Sequence, residues 1–246
     1  MLHRIRAPVM RGKESMTFER ALAALALLCG ALLLAACSSI APPTVTYDGL
    51  VLVPGSRFSE VYKLPDADLT RYDFFGLVRC EVAFRKNWMR DQNNTRMDLG
   101  SRVTQKDVDR IKQRLSDACD QYFREALQQP PPYRLVESFD EGEQVLVLRP
   151  AIINLDIAAP DIRTAGIQRS YTTEAGQMTL VLEVLDGTTG QILVRVIDRQ
   201  RAGESSFLQW TNSVTNQADA QRILGRWARR LREGLDEATG GPRTSE

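Results

Sequence analysis

The chain has 246 residues, of which 26% are charged and 43% are hydrophobic, so it can build one or two folded domains and is not disordered throughout. Its formal net charge is +1, but residues 1–36 hold five basic and two acidic residues, which leaves 27 basic and 29 acidic residues in the rest. A chain so close to neutrality lacks the basic excess of a dedicated nucleic-acid-binding protein. We therefore predict no nucleic-acid partner.

The single histidine, His3, lies at the start of the chain. If the N-terminal segment is removed, the mature protein contains no histidine. Nucleophile systems that pair serine or cysteine with histidine are then excluded, as are zinc and non-haem iron sites that use histidine ligands. We predict no catalytic residue, no cofactor and no metal site.

The first element is an uncharged run of sixteen residues from Ala21 to Ala36. A transmembrane helix needs about 20 apolar residues, whereas the core of a signal peptide needs roughly 7–15. Basic residues precede the run and two small residues end it, as in an exported precursor. The pattern predicts a signal peptide over residues 1–36, with Met10 or Met16 as start sites that give a more usual length than Met1.

The signal peptide ends in Leu34-Ala35-Ala36-Cys37, which resembles the bacterial lipobox. The resemblance implies a diacylglyceryl group on the Cys37 thiol, cleavage before Cys37 and acylation of the new amine; ordinary cleavage beside an unrelated cysteine is the alternative. Each buried CH₂ contributes about 0.8 kcal/mol, so two or three acyl chains anchor a protein firmly in the membrane. Ser38 stands where the inner-membrane retention signal of Gram-negative lipoproteins is Asp, which implies attachment to the outer membrane, facing the periplasm.

Residues 37–70 contain the lipidated cysteine, a tether rich in Ser and Pro, and an extended lead-in that docks on the domain. The domain itself is expected over residues 71–240, followed by a flexible tail over 241–246. Alternating apolar residues predict a strand over residues 77–86. A polar, Asn-rich loop is expected over 89–103. Thr104 and Asp107 resemble a capping box that opens a helix, which Pro130 ends.

A near-continuous apolar run predicts a buried strand over residues 144–157, in which Pro150 indicates a bulge or an unpaired edge. After a loop over 161–176, two alternating runs around a turn at residues 186–190 predict a hairpin. A final helix is expected over about 213–238, with an apolar stripe on one side. The order β-α-β-β-β-α with two long helices predicts an α+β fold, a two-layer sandwich in which both helices cover one face of a mixed sheet.

Cys80 lies on the apolar face of its predicted strand, and Cys119 borders the apolar stripe of the first helix. In an oxidising periplasm the two can form a disulfide, and two buried free thiols are the alternative. A catalytic thiol is disfavoured because no histidine is left to activate it.

The last helix carries arginines away from its stripe, which indicate either an anionic contact or a solvated face balanced by Glu233, Asp236 and Glu237. These arginines are Arg222, Arg226, Arg229 and Arg230. Acidic clusters at Asp140, Glu141 and Glu143, and at Asp156 and Asp161, keep a carboxylate-type hydrolase open as a minor alternative.

Five segments together resemble an uncharacterised family of proteobacterial candidate lipoproteins, defined only as a domain of unknown function. They are the lipobox, Tyr47–Leu50, Val82–Trp88, Leu148–Ile152 and the hairpin around residues 184–193. The element order is also similar to the periplasmic domains of envelope-assembly lipoproteins such as the curli secretion lipoprotein, which concerns fold alone. The expected function is an outer-membrane lipoprotein that binds or scaffolds another envelope component without catalysis. A carboxylate-type hydrolase, or a module that binds peptidoglycan or anionic lipid, is the alternative.

Overall fold

The structure is a computed structural model that describes residues 42–94, 102–138, 144–157, 171–172, 176–201, 209–210 and 213–242. The predicted signal peptide, the lipobox with Cys37, and the acidic residues Asp140, Glu141, Glu143 and Asp161 lie outside these ranges. The described residues from Pro43 onward belong to one folded unit. Within the described residues, no helix combines the length and the apolar character needed to cross a membrane.

The elements follow in chain order. They are β1 (Val51–Leu52), β2 (Glu60–Lys63), β3 (Phe74–Leu77), β4 (Glu81–Phe84), α1 (Trp88–Asn94), α2 (Gln105–Leu127), β5 (Arg134–Val136), β6 (Val145–Asp156), β7 (Tyr171–Thr172), β8 (Gln177–Asp186), β9 (Ile192–Arg201), β10 (Gln209–Trp210) and α3 (Ser213–Thr239).

The described strands form a mixed eight-stranded sheet in the order β1-β2-β9-β8-β6-β3-β5, and β4 also pairs with β6. The pairs β1–β2, β2–β9, β9–β8 and β8–β6 are antiparallel. In contrast, β3 and β4 run parallel to β6, and β5 runs parallel to β3. A separate antiparallel pair joins β7 to β10. The predicted α+β fold with two long helices on a mixed sheet is confirmed.

The core lies between this sheet and the helices α2 and α3. Alternate residues of β6 and β8, such as Leu148, Ile152 and Leu180, are fully buried against the helix layer. The predicted capping box of α2 is present, because Thr104 Oγ1 accepts from the Asp107 N–H and the Asp107 carboxylate accepts from the Thr104 N–H. The stripe of α3 is buried as predicted, with Leu224 and Trp227 inaccessible to solvent.

The prediction of one strand over residues 77–86 is wrong, because the chain leaves the sheet at Val78–Cys80 and divides it into β3 and β4. Pro150 explains the position of the break. The Leu148 carbonyl faces this side of β6 and accepts from the Val78 N–H at 2.9 Å, so the nitrogen of Pro150, two residues on, faces the same side and has no proton to donate. On its other side Pro150 pairs in register with Leu182 of β8, so the predicted unpaired edge is a local gap between β3 and β4 within the sheet.

The predicted loop over residues 89–103 contains the short helix α1. Asn93, which made this segment look like a loop, bonds through its side chain to both the N–H and the C=O of Val103. The lead-in also holds more structure than expected, because β1 and β2 extend the sheet beyond β9. The short strands β3 and β5 are likewise absent from the predicted order.

Candidate functional surface

The arginines of α3 do not act as one group. The buried apolar stripe fixes the rotation of α3 against the core. The four predicted arginines therefore lie at different positions around the helix and have different surroundings. Arg222 is exposed and forms an ion pair with Asp219 one turn earlier. An exposed pair of this kind contributes little to stability, but it offsets the charge of Arg222.

Arg230 turns toward the interior. Its guanidinium lies 3.4 Å from a carboxylate oxygen of Asp198, a residue on β9 that is 1% exposed. The same carboxylate accepts from the N–H and Oγ of Ser59 and from the Trp227 Nε1–H. Burial raises the pKa of Asp198, but these hydrogen bonds outweigh it and the net shift is downward. Arg230 therefore belongs to a structural cluster that joins β9, α3 and the lead-in.

The acids expected to balance the arginine face have other partners. Glu233 and Glu237 both pair with Arg57 of the lead-in. Asp236 accepts from Arg232 Nε at 2.9 Å and from the Tyr133 hydroxyl at 2.7 Å. None of these three acids therefore pairs with the predicted arginines of α3, of which Arg222 and Arg229 are solvent-exposed.

Arg226 and Arg229 are the two predicted arginines of α3 that are not paired with Asp219 or Asp198. Arg229 is exposed and Arg226 is half-buried. They are three residues apart on one side of a helix, where side chains are neighbours and like charges repel. Within the described part of the chain, neither has an acidic partner.

The structure joins Cys80 and Cys119 in a disulfide, with Cα atoms 6.2 Å apart. Both cysteines are buried. Around the bond, the Cys80 N–H donates to Asp120 at 2.8 Å and the Ser116 hydroxyl donates to the Cys80 carbonyl at 2.6 Å. The chain that leaves the sheet between β3 and β4 is thereby fastened to α2, so the cysteines have a structural role in this fold.

An edge hairpin, defined here as residues 43–53, forms the other end of the sheet. Val45 pairs with Val51 across a turn at residues 47–49, and the Thr46 N–H donates to the Leu50 carbonyl at 2.8 Å. Gly49 has φ of +83°, which a glycine adopts without strain. This hairpin is absent from the predicted elements, although an Asp-Gly turn between apolar runs is its usual signal.

Ionic contacts hold the edge hairpin to the exposed face of the sheet. Arg195 of β9 donates from its two terminal nitrogens to the two carboxylate oxygens of Asp48, at 3.1 and 2.7 Å. Arg195 also bonds to Glu183, which in turn accepts from Arg149. Hydrogen bonds from Arg195 and then Thr46 lower the pKa of Asp48 to about 2, so this row of charges is complete at neutral pH.

Asp156 is the one predicted hydrolase acid within the described residues, and it and the buried Asp186 are both held by hydrogen bonds. Asp156 accepts from Arg85 Nε at 2.7 Å, and Arg85 also binds Asp91. Burial raises the pKa of Asp186, but hydrogen bonds from Tyr72, Thr189 and Thr188 outweigh it and lower the pKa to about 2. Across the described ranges, no three His, Cys, Asp or Glu side chains are grouped to hold a metal ion.

Comparison with known proteins gives one family. The family model described as "Protein of unknown function (DUF3313)" matches residues 45–231. No curated protein matches the sequence.

Several solved structures are similar to the chain. The PelC dodecamer from Paraburkholderia phytofirmans is 11% identical over 68% of this chain and 96% of that one, with a TM-score of 0.31. A candidate lipoprotein from Caulobacter crescentus is 12% identical over 54% and 88% of the two chains, with a TM-score of 0.29. A DUF330 protein from Xanthomonas campestris is 11% identical over 72% and 91%, with a TM-score of 0.32.

Proposed function

We propose that this chain, which belongs to the family described as "Protein of unknown function (DUF3313)", is a non-catalytic lipoprotein of the outer membrane. Its periplasmic domain binds another envelope protein. This membership confirms the resemblance to an uncharacterised family and brings no known activity with it. The likeness to the curli secretion lipoprotein stays a prediction. The proposal therefore depends on the lipobox and on the surface chemistry of the domain.

The observation that carries the proposal is the pair Arg226 and Arg229. Two neighbouring cations without an acidic partner repel each other, and the repulsion is relieved when carboxylates of another molecule approach. Arginine presents a planar fork of donors that binds carboxylates in pairs, which makes it a common contact in protein interfaces. We therefore propose a protein partner with an acidic surface.

The helix presents these arginines rigidly. Trp227 lies between them in sequence, is fully buried and donates its Nε1–H to Asp198 at 2.7 Å. α3 packs on α2 beside this residue, where a Cβ at Gly225 would lie at an ordinary contact distance of 3.5 Å from the Tyr122 ring. Binding then orders two side chains on a fixed backbone, which keeps the entropic cost of association low.

The anchor supplies the second part of the proposal. Acylation of Cys37 would hold the domain at the periplasmic face of the outer membrane, where it meets membrane-bound partners at high local concentration. Of the described carboxylates, Asp48, Asp186 and Asp198 have lowered pKa values, so none of these three is suited to act as a general acid, which needs a raised pKa.

The test is site-specific photo-crosslinking in intact cells. A photo-reactive residue replaces Arg226 or Arg229 in the full precursor, and captured proteins are identified by mass spectrometry. The same residue in place of Arg114, an exposed arginine on α2, is the matched control. A Cys37→Ala version of each variant reports whether capture needs the anchor.

We expect one identified envelope protein to be captured from both α3 positions, and not from position 114 or without the anchor. With both proteins purified, the double variant R226E/R229E should weaken binding at least tenfold, and added salt should weaken the native complex. Equal capture at all three positions, unchanged affinity of the double variant, or capture of glycan or lipid alone would contradict the proposal.

A further inference from the structure

The edge hairpin carries four of the five large hydrophobic residues that are most exposed in the described part of the chain. Tyr47 is 96% exposed and Val45 is 54% exposed, and Val51 and Val53 follow. Isolated exposed apolar residues are ordinary, but a group of this kind marks a contact surface. The α3 arginines lie elsewhere, so the edge hairpin is a separate candidate.

The apolar side chains project from both faces of the edge hairpin. Val45 lies opposite Val51, and Val53, two residues further, shares their face. The Tyr47 ring lies on the other face, 5.9 Å from the guanidinium of Arg195. A flat protein surface can cover only one of these faces, whereas a soft apolar medium surrounds both.

The hairpin brings no unpaired charge with it. Residues 42–53 contain a single charged residue, Asp48, and Arg195 holds both of its carboxylate oxygens. Lys63 is exposed opposite Val51 on the neighbouring strand. A lysine at that position can direct its ammonium toward phosphate while its stem lies along apolar surface.

The backbone at this edge is poorly suited to receive a strand from another protein. Only residues 44–46 continue the sheet beyond β1, and Pro42 and Pro43 precede them. Short edge strands bounded by proline discourage further pairing. This observation favours contact through side chains rather than through backbone hydrogen bonds.

The edge hairpin lies close along the chain to the proposed anchor. Val45 lies eight residues after Cys37. An extended chain spans at most about 3.6 Å per residue, so the hairpin can lie no more than ~29 Å from the lipidated residue. Tyrosine beside aliphatic residues is typical of the interface between lipid headgroups and acyl chains.

We propose that the edge hairpin lies in the headgroup region of the membrane to which Cys37 is anchored, with Tyr47 and the valines in contact with lipid. This inference rests on the anchor in the proposed function and adds a second membrane contact. The contact orients the domain so that the β1 end of the sheet faces the bilayer.

The experiment uses the mature lipoprotein in vesicles of phosphatidylethanolamine and phosphatidylglycerol. The chain has four cysteines, of which one lies in the signal peptide, one is the lipid site and two form the disulfide. A Tyr47→Cys variant therefore has one thiol for a fluorescent label. A Gln121→Cys variant on the exposed side of α2 is the matched control.

We expect lipids that carry a nitroxide near the headgroup to quench the label at position 47 several-fold more strongly than the label at position 121. Adding V45S, V51S and V53S should lower the quenching at position 47 toward the control with only a small shift of the urea midpoint, because these side chains are partly exposed in the folded domain.

Three results would overturn the proposal. Equal quenching at both positions, in a protein that floats with the vesicles, would show that the hairpin does not contact the membrane although the protein is anchored. If the protein does not float with the vesicles, it has no lipid anchor, and both this proposal and the proposed function are wrong. Shielding of position 47 that depends on an added envelope protein would assign the hairpin to a protein partner.

Discussion

The two ends of the main sheet are held by different chemistry. At the β3–β4 end, a disulfide joins Cys80 to Cys119, and Arg232 of α3 binds the backbone where α2 ends. At the β1 end, the edge hairpin is held by the ion pair of Asp48 with Arg195, and its valines face outward. One end is fixed by covalent and buried contacts, whereas the other keeps apolar surface available. We infer that stability is concentrated at the first end and contact with other molecules at the second.

Removal of Arg232 should have the largest effect on stability. Arg232 is 8% exposed and donates to the carbonyl oxygens of Ala126, Gln129 and Pro131 as well as to Asp236. Arg232→Met removes this donor from the three carbonyl oxygens and the cation beside Asp236, so we expect the free energy of unfolding in urea to fall by about 3–5 kcal/mol.

Arg229→Met on the same helix is the matched control and should change the free energy of unfolding by less than about 0.5 kcal/mol. Equal losses in the two variants would contradict the division between buried and available arginines on α3.

Loss of the disulfide should come next. Closing a loop over a sequence separation of 39 residues stabilises a chain by about 4 kcal/mol on the loop-closure model, and measured values are typically 2–4 kcal/mol. The double variant C80A/C119A should therefore unfold at a lower urea concentration than the oxidised native chain. A midpoint that is the same with and without reductant would show that this bond does not brace the β3–β4 end.

Acid should weaken the domain through Asp186 by a smaller amount. The pKa of Asp186 is about 2 in the folded state against an ordinary value of 3.8, so its contribution is present above about pH 4 and is lost as the pH falls through about 2. That shift corresponds to about 2 kcal/mol. In Asp186→Asn, the slope of stability against pH in this window should be shallower; an unchanged slope would assign the acid sensitivity to other carboxylates.

Asp48→Asn should have the smallest global effect. The carboxylate of Asp48 is partly exposed, so the loss of its ion pair should release the edge hairpin locally while the rest of the sheet keeps its contacts. We expect faster proteolytic cleavage within residues 43–53 and an unchanged urea midpoint. A large shift of the midpoint would mean that the β1 end also carries global stability.

The sequence predicted the long elements because their periodicity extends over many residues. β6, the β8–β9 hairpin, α2 and α3 all occur close to their predicted bounds. The short strands β1, β3 and β5 have two to four residues, too few to show a period, and they depend on pairing with distant partners.

The candidate surfaces were only partly predictable for the same reason. The sequence placed the two cysteines on facing apolar surfaces, because each face was visible in a periodic element, but it left a disulfide and two free thiols as alternatives. The ion pairs of the arginines could not be predicted from the sequence, because Arg57 and Glu237 are 180 residues apart and Asp48 and Arg195 are 147 residues apart. Which arginine is left without a partner depends on the folded chain.

Native-state hydrogen exchange tests the division between the two ends most directly. The Leu52 N–H, which donates to Thr44, reports on the edge hairpin, and the Val78 N–H, which donates to Leu148, reports on the disulfide-braced end. We predict slow exchange at Val78 that becomes much faster on reduction, and fast exchange at Leu52 whether or not the disulfide is reduced. Equal rates at the two amides in the oxidised protein would contradict the account.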